Sequence, residues 1–138
     1  MKERMTVAEY WEQISNPKPS KMRNKKTVVD GILFDSQREA NHYCELKILK
    51  QAGEIIDYWR QVSFQLTDGY YLNGKWVRGE FYRADFVVIR LVKYPPHINP
   101  NPVVRLEIHE PKGHRTQAYR NKRKLFQHKY PEYEFIEI

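Results

Sequence analysis

Three side chains in this sequence are spaced so that they could share one reaction. Asp85 sits inside the apolar stretch RADFVV, and Glu110 and Lys112 stand two positions apart in HEPKG. Residues two apart on a strand share a face. Glu110 and Lys112 therefore continue the face that carries Val104, Leu106 and Ile108. A carboxylate on a face meant for the core is costly unless something compensates it. If the strand bearing Asp85 pairs with the strand bearing Glu110, the two acids approach, and their repulsion favours a cation between them. A hard divalent ion takes oxygen ligands of this kind. Such an ion lowers the pKa of a bound water and neutralises charge on a phosphate. Lys112 beside the acids would hold or polarise the attacking water. The chemistry expected of the set is metal-assisted cleavage of a phosphodiester.

The elements that must position these groups are legible in turn and helix signals. Thr6 to Ile14 has the spacing of a short amphipathic helix, with Val7, Tyr10, Trp11 and Ile14 on one side. Residues 16–26, NPKPSKMRNKK, hold two prolines, five basic residues and no acid, and read as a linker or a basic arm. In TVVDGILFDS, Asp30-Gly31 supplies the positive φ values of a tight hairpin turn. Asp35 or Ser36 then caps a helix running to about Gln51, with Glu39 in capping-box position relative to Ser36. Its buried stripe is Ala40, Tyr43, Leu46 and Leu49, and Gly53 stops it.

Ile55 to Leu66 is expected to be a strand, Asn73-Gly74 the turn of a second hairpin, and Arg83 to Val92 a further strand. Residues 93–102 contain four prolines and must be loop. Val103 to Glu110 follows as a half-buried strand whose other face is Arg105, Glu107 and His109. Thr116 to Lys129 reads as a basic helix, with Ala118 or Tyr119, Leu125 and Phe126 inward, and Tyr133 to Ile138 as a closing strand. A strand reached through a crossover helix pairs parallel to the strand before that helix. The expected fold is α/β, a mixed central sheet flanked by helices. It divides into an N-terminal helix and basic linker, 1–26, and a main domain, 27–138.

Composition narrows the partners. The 138 residues carry 24 Lys+Arg against 17 Asp+Glu, a net charge of +7, which favours polyanions. Ten Tyr, six Phe and three Trp can build a core or stack on unpaired bases. Cys44 is the only cysteine, so an intrachain disulfide and a four-cysteine zinc site are excluded. No run reaches the roughly 18 apolar residues of a membrane span, and no signal peptide is seen. The expected location is the cytoplasm of a bacterial host or phage-infected cell.

With Asp85 in RADF, Glu110-Pro111-Lys112 in HEPKG and the helix-borne Glu39 in FDSQREA, the chain resembles the PD-(D/E)XK nuclease superfamily. The order helix, three strands, helix, strand from Phe34 to Ile138 is similar to that superfamily's restriction-endonuclease-like core. More narrowly, the run from VVDGILFDSQREANHYCELKILKQAGEI through RADF and EPKG to YRNKRKLFQHKYP resembles a family of small phage-associated nuclease-like proteins. Those are themselves similar in core layout to Holliday junction resolvases. The resemblance implies a Mg²⁺- or Mn²⁺-dependent DNA endonuclease leaving a 5′-phosphate, with branched or junction DNA as a candidate substrate and a homodimer as the expected assembly. It implies Asp85 and Glu110 as metal ligands, with the Pro111 carbonyl as another. Lys112 would position water, and Glu39 would complete the acidic cluster. Gln61 resembles a glutamine found near such sites. Within a nuclease, Arg115, Arg120, Lys122 and Lys124 are candidates for phosphate contacts.

The sequence departs from the pattern at Pro111. Proline has no N–H to give to a ladder, so the strand is expected to end at Glu110. Glu39 has a purely structural alternative as the partner of Ser36, and the basic helix could be a solvated face. His109 falls on the face opposite Glu110, and His42, His97 and His128 read as surface or packing residues. Two other functions stay open: a nucleic-acid-binding module without chemistry, and a phage replication assembly factor using the aromatics of YYLNGKW.

Overall fold

The computed structural model describes residues 6–8, 25–111 and 115–138. Most of the expected N-terminal helix and of the basic arm falls outside these residues, as do Lys112 and its neighbours Gly113 and His114. Among the described residues the fold is mixed α/β, with a mixed four-stranded sheet and two helices of more than ten residues. The chain divides into two compact units, Met1–Cys44 and Glu45–Ile138.

In the first unit, β1 (Thr27–Val29) and β2 (Ile32–Phe34) form the expected antiparallel hairpin. Asp30 and Gly31 both have positive φ, +51° and +75°, which matches the turn to the right-handed twist of the strands. Helix α1 (Gln37–Gln51) begins where the Ser36 hydroxyl accepts the Glu39 N–H at 3.1 Å. One orphan donor of the first turn is thereby satisfied. Ala40 and Tyr43 are buried, and the Tyr43 ring meets Phe34 at 5.2 Å. The Tyr43 hydroxyl donates to Asp30, so the stripe also fixes the turn. The boundary between the units falls inside α1. At its far end Gly53, with φ +77°, donates to the Lys50 carbonyl, and Glu54 donates to that of Leu49. This paired closure is the Schellman stop that the glycine announces.

The second unit is the sheet. Strands β3 (Ile55–Gln65), β6 (Phe81–Val92), β7 (Val103–Glu110) and β8 (Tyr133–Glu137) lie in the order β3-β6-β7-β8. The first two pairings are antiparallel, and β7–β8 is parallel, as the crossover through helix α2 (Gln117–Lys129) requires. Between β3 and β6, strands β4 (Tyr70–Leu72) and β5 (Lys75–Val77) make a separate ribbon, turned at Asn73-Gly74, both of positive φ. Thr116 caps α2 by accepting the Tyr119 N–H at 3.1 Å.

On one side of the sheet, Leu66, Tyr82, Ala84, Val87 and Ile108 pack with Phe126 of α2. Phe64 meets Phe126, Tyr130 and Tyr133 edge-on, at 5.0 to 5.3 Å between ring centres. Burying Phe126 contributes roughly 1.5–3 kcal/mol. Tyr119, Phe126 and Tyr130, spaced seven and four apart, are the inward stripe of α2. Leu125 is not in it and is exposed, a correction to the sequence reading. One residue from Phe126, it lies about 100° away around the helix.

A second correction concerns β7. Its expected polar face is covered: Glu107 and His109 are buried along with Ile108 and Glu110. Alternation identifies which residues share a face, and an interior strand can be covered on both. Among the described residues, no helix is long and apolar enough to cross a membrane.

Candidate functional site

Asp85 and Glu110 are brought together. The β6–β7 register pairs Phe86 with His109, so the next step places Asp85 opposite Glu110. The Asp85 backbone N–H donates to Glu110 Oε1 at 3.3 Å. Glu110 is 0% exposed and Asp85 7%. Strand β7 ends at Glu110, as Pro111 dictates. The ladder is nevertheless carried one step further, because the Glu110 carbonyl accepts the Ile138 N–H at 3.1 Å.

Gln61 lies across from Asp85 on the other side, between the pairs Arg60–Phe86 and Val62–Ala84. Its amide nitrogen is 3.4 Å from Asp85 Oδ1, a long contact. Its backbone has φ +54°. That is the left-handed region, which costs a non-glycine residue roughly 1–2 kcal/mol. The disturbance has a counterpart in β6. Ala84 and Val87, three positions apart, both enter the α2-side core. Simple alternation would put them on opposite faces, so the alternation of β6 is broken between Ala84 and Val87, beside Gln61. Strain of this sort persists only where surrounding structure imposes it, and here it accompanies the buried acids.

Two tyrosines that the sequence reading did not assign to the site complete its wall. The Tyr82 hydroxyl donates to Glu110 Oε1. Burial first, and then the Glu110 carboxylate, raise the Tyr82 pKa far above its ordinary value, so the phenol keeps its proton as a donor. Tyr119, on α2, is pushed up to about 12 by burial and then by Glu110, against the opposing pull of Arg123 and Arg115, with Asp85 adding a further upward push. The field of both acids therefore reaches α2. The available signal was the spacing of Tyr119 from Phe126 on α2; Tyr82, three positions from Asp85 on a strand, had none.

A third carboxylate extends the row. Glu137 is the parallel partner of Glu110 and is held by both Arg115 and Arg123. Arg123 also lies 4.6 Å over the Phe135 ring. Arg115, expected to meet phosphate, thus meets Glu137. Lys122 is 3.9 Å from Glu80 in a loose, solvent-exposed pair. Arg120 and Lys124 are exposed on α2.

Glu39 is in the first turn of α1, in the other unit, where its N–H serves the cap. Pro111 is buried next to Glu110. Lys112 lies outside the described residues. Among the described residues, no group of three or more His, Cys, Asp or Glu side chains gathers to hold a metal. The oxygen donors that are present, two carboxylates and a neighbouring amide, are hard ligands. They fit Mg²⁺, which is commonly held by only one or two carboxylates together with substrate phosphate and water.

Residues 19–137 match the model of a family described as "Protein of unknown function (DUF1064)", and the chain belongs to that family. No curated protein and no solved structure matches it.

Proposed function

We propose that this member of the family is a metal-dependent DNA endonuclease of phage or prophage DNA processing, with a restriction-endonuclease-like core. The observation that carries the reading is the meeting of Asp85 and Glu110 inside the sheet, with the Asp85 backbone on the Glu110 carboxylate. A fold that keeps them there suits a reaction in which positive charge is brought in.

A bound Mg²⁺ or Mn²⁺ would supply an acidified water and neutralise charge developing on the phosphate. Asp85 and Glu110 would hold it, with the Pro111 carbonyl as a further oxygen donor. Tyr82 orients Glu110 by hydrogen bond, and Gln61 does the same for Asp85. Lys112, two residues beyond Glu110, holds the attacking water. Arg120 and Lys124 on α2, with Lys122, contact the DNA backbone. Junction DNA is the substrate that the core's resemblance favours. Symmetric incision of it calls for a homodimer.

Those exposed cations on α2 would also serve a nucleic-acid-binding module that performs no chemistry. Purified protein incubated with supercoiled plasmid or a four-way junction, in Mg²⁺, Mn²⁺ or EDTA, separates the two readings. Metal-dependent cutting is expected, abolished in Asp85→Ala and in Lys112→Ala while DNA binding persists. Tight binding without cutting in either metal would discard the endonuclease reading.

A further inference from the structure

The β4–β5 ribbon presents an aromatic surface that the sheet does not use. Tyr71 and Trp76 face each other across it, their ring centres 4.9 Å apart at 64°, and are 74% and 59% exposed. Tyr70 and Leu72, also exposed, lie on its other face with Lys75. Neither face belongs to the core around Phe126. An isolated two-stranded ribbon is marginal in water, and this one leaves its largest side chains in solvent. Contiguous exposed apolar surface marks an interaction site.

The ribbon is also built to hold Trp76 in place. A Cβ at Gly69 would run into the Trp76 ring, so the indole lies against backbone where only glycine leaves room. The edge-to-face contact with Tyr71 braces it further. A ring pinned on one side and open on the other is a platform for one flat partner.

Charge selects that partner. From Gly69 to Gly79 there is no carboxylate, while Lys75 and Arg78 are exposed within the stretch. Arg78 lies 5.0 Å over the Phe81 ring, which places a cation where the ribbon meets β6. The flanking acids, Asp68 and Glu80, are at the neck, where the Glu80 N–H is bound to the Thr67 hydroxyl. Aromatic rings interleaved with cations are the pattern of single-strand binding, in which bases stack and phosphates meet the positive charges.

We infer that the β4–β5 ribbon binds unpaired nucleic-acid bases, stacking them on Trp76 and Tyr71 with Lys75 and Arg78 on the adjoining phosphates. The inference takes the class of partner from the nuclease reading above. It directs that activity toward DNA with single-stranded character, such as forks, flaps and open junctions. A protein partner seated on the same aromatics is the competing occupant.

The test measures binding in EDTA, so that it does not depend on cleavage. A labelled oligothymidylate and a fully paired duplex of the same length are titrated against wild type, Trp76→Ala, Tyr71→Ala, Gly69→Ala and Trp76→Phe. Trp76→Ala and Tyr71→Ala should each weaken oligothymidylate binding about tenfold, within the range that base stacking supplies, with little change for the duplex. Gly69→Ala, which displaces the indole without removing it, should fall with them. Trp76→Phe, which keeps a ring, should hold most of the affinity. Equal losses on both DNAs, or no loss on either, would overturn the inference, and the latter would leave the surface to a protein partner. Plasmid cutting in Mg²⁺ is assayed in parallel. Wild type that cuts nothing but loses oligothymidylate binding with Trp76 defeats the endonuclease reading and leaves the ribbon's role standing. Cutting that persists beside unaltered binding defeats the ribbon's role alone.

Discussion

Glu107 and Glu110 are three residues apart on one strand, both essentially removed from solvent, and their surroundings are opposite. Glu107 is compensated. Arg90 Nε lies 3.1 Å from its Oε1, His109 Nε2 2.9 Å from the same oxygen, and Arg105 3.9 Å from the other. Glu110 faces another acid, with a phenol and a backbone N–H on its Oε1. Burial lowers the His109 pKa, against the pull of Glu107, with Arg90 lowering it further. The first arrangement holds a sheet together. The second places like charges together, which is the arrangement expected of a site that works on something charged.

The sharpest break of this comparison is Glu107→Gln. Glu107 is the buried member while Arg90 and Arg105 reach solvent, so the variant loses charge-assisted hydrogen bonds, typically about 1.5–3 kcal/mol. Urea unfolding of this variant should show a loss of that size. A loss below about 1 kcal/mol would mean that Glu107 is not the structural anchor its contacts describe.

Glu110→Gln should behave oppositely. The amide oxygen still accepts from Tyr82 and from the Asp85 N–H, and the like charge is gone. Stability in EDTA should therefore be unchanged or higher. Mg²⁺ should then separate the proteins. At a hundred times its Kd, a ligand of the folded state adds about 2.7 kcal/mol, so the wild-type Tm should rise with Mg²⁺ and that of Glu110→Gln should not. Equal responses would show that the ion binds elsewhere.

The smallest effect belongs to an ion pair in solvent. Lys50 Nζ and the Tyr58 N–H approach Asp57 Oδ1 at 3.0 and 2.8 Å. The Tyr58 N–H first, and then Lys50, hold the Asp57 carboxyl below its ordinary 3.8. Because the folded pKa lies below the unfolded one, the contribution is present above 3.8 and is lost as pH falls through the folded value. Asp57→Asn should cost about 0.2–1 kcal/mol at neutral pH and nothing once the acid is protonated. Thermal melts across that range check it.

The fold was largely legible because its signals are local. Asp30-Gly31, Asn73-Gly74 and Gly53 each mark a backbone conformation that few residues tolerate, and all three have positive-φ geometry in the structure. The parallel pairing of β8 follows from a crossover helix between neighbouring strands. The approach of Asp85 to Glu110 was legible because antiparallel neighbours with a known strand end leave few registers. The left-handed backbone of Gln61 was not, since nothing in VSFQ or WRQ marks it. Nor were the partners of Glu107, Glu137 and Tyr82. Each is chosen by side chains on other strands or on α2, and periodicity carries no information about which neighbour covers a face.

The row across the sheet also bears on how the protein acquires function. The Gln61–Asp85 and Asp85–Glu110 contacts span 24 and 25 residues of chain. The β6–β7 hairpin holds Asp85 and Glu110, but Gln61 comes from β3, on the far side of the β4–β5 ribbon in the chain. Closing such loops comes before any reward from the contact, which makes non-local pairings slow to form. The full row can therefore form only after β3, β6 and β7 have assembled. A partly folded or nicked chain that separates these strands has no residual site, so whatever the row does is withheld until the sheet is whole.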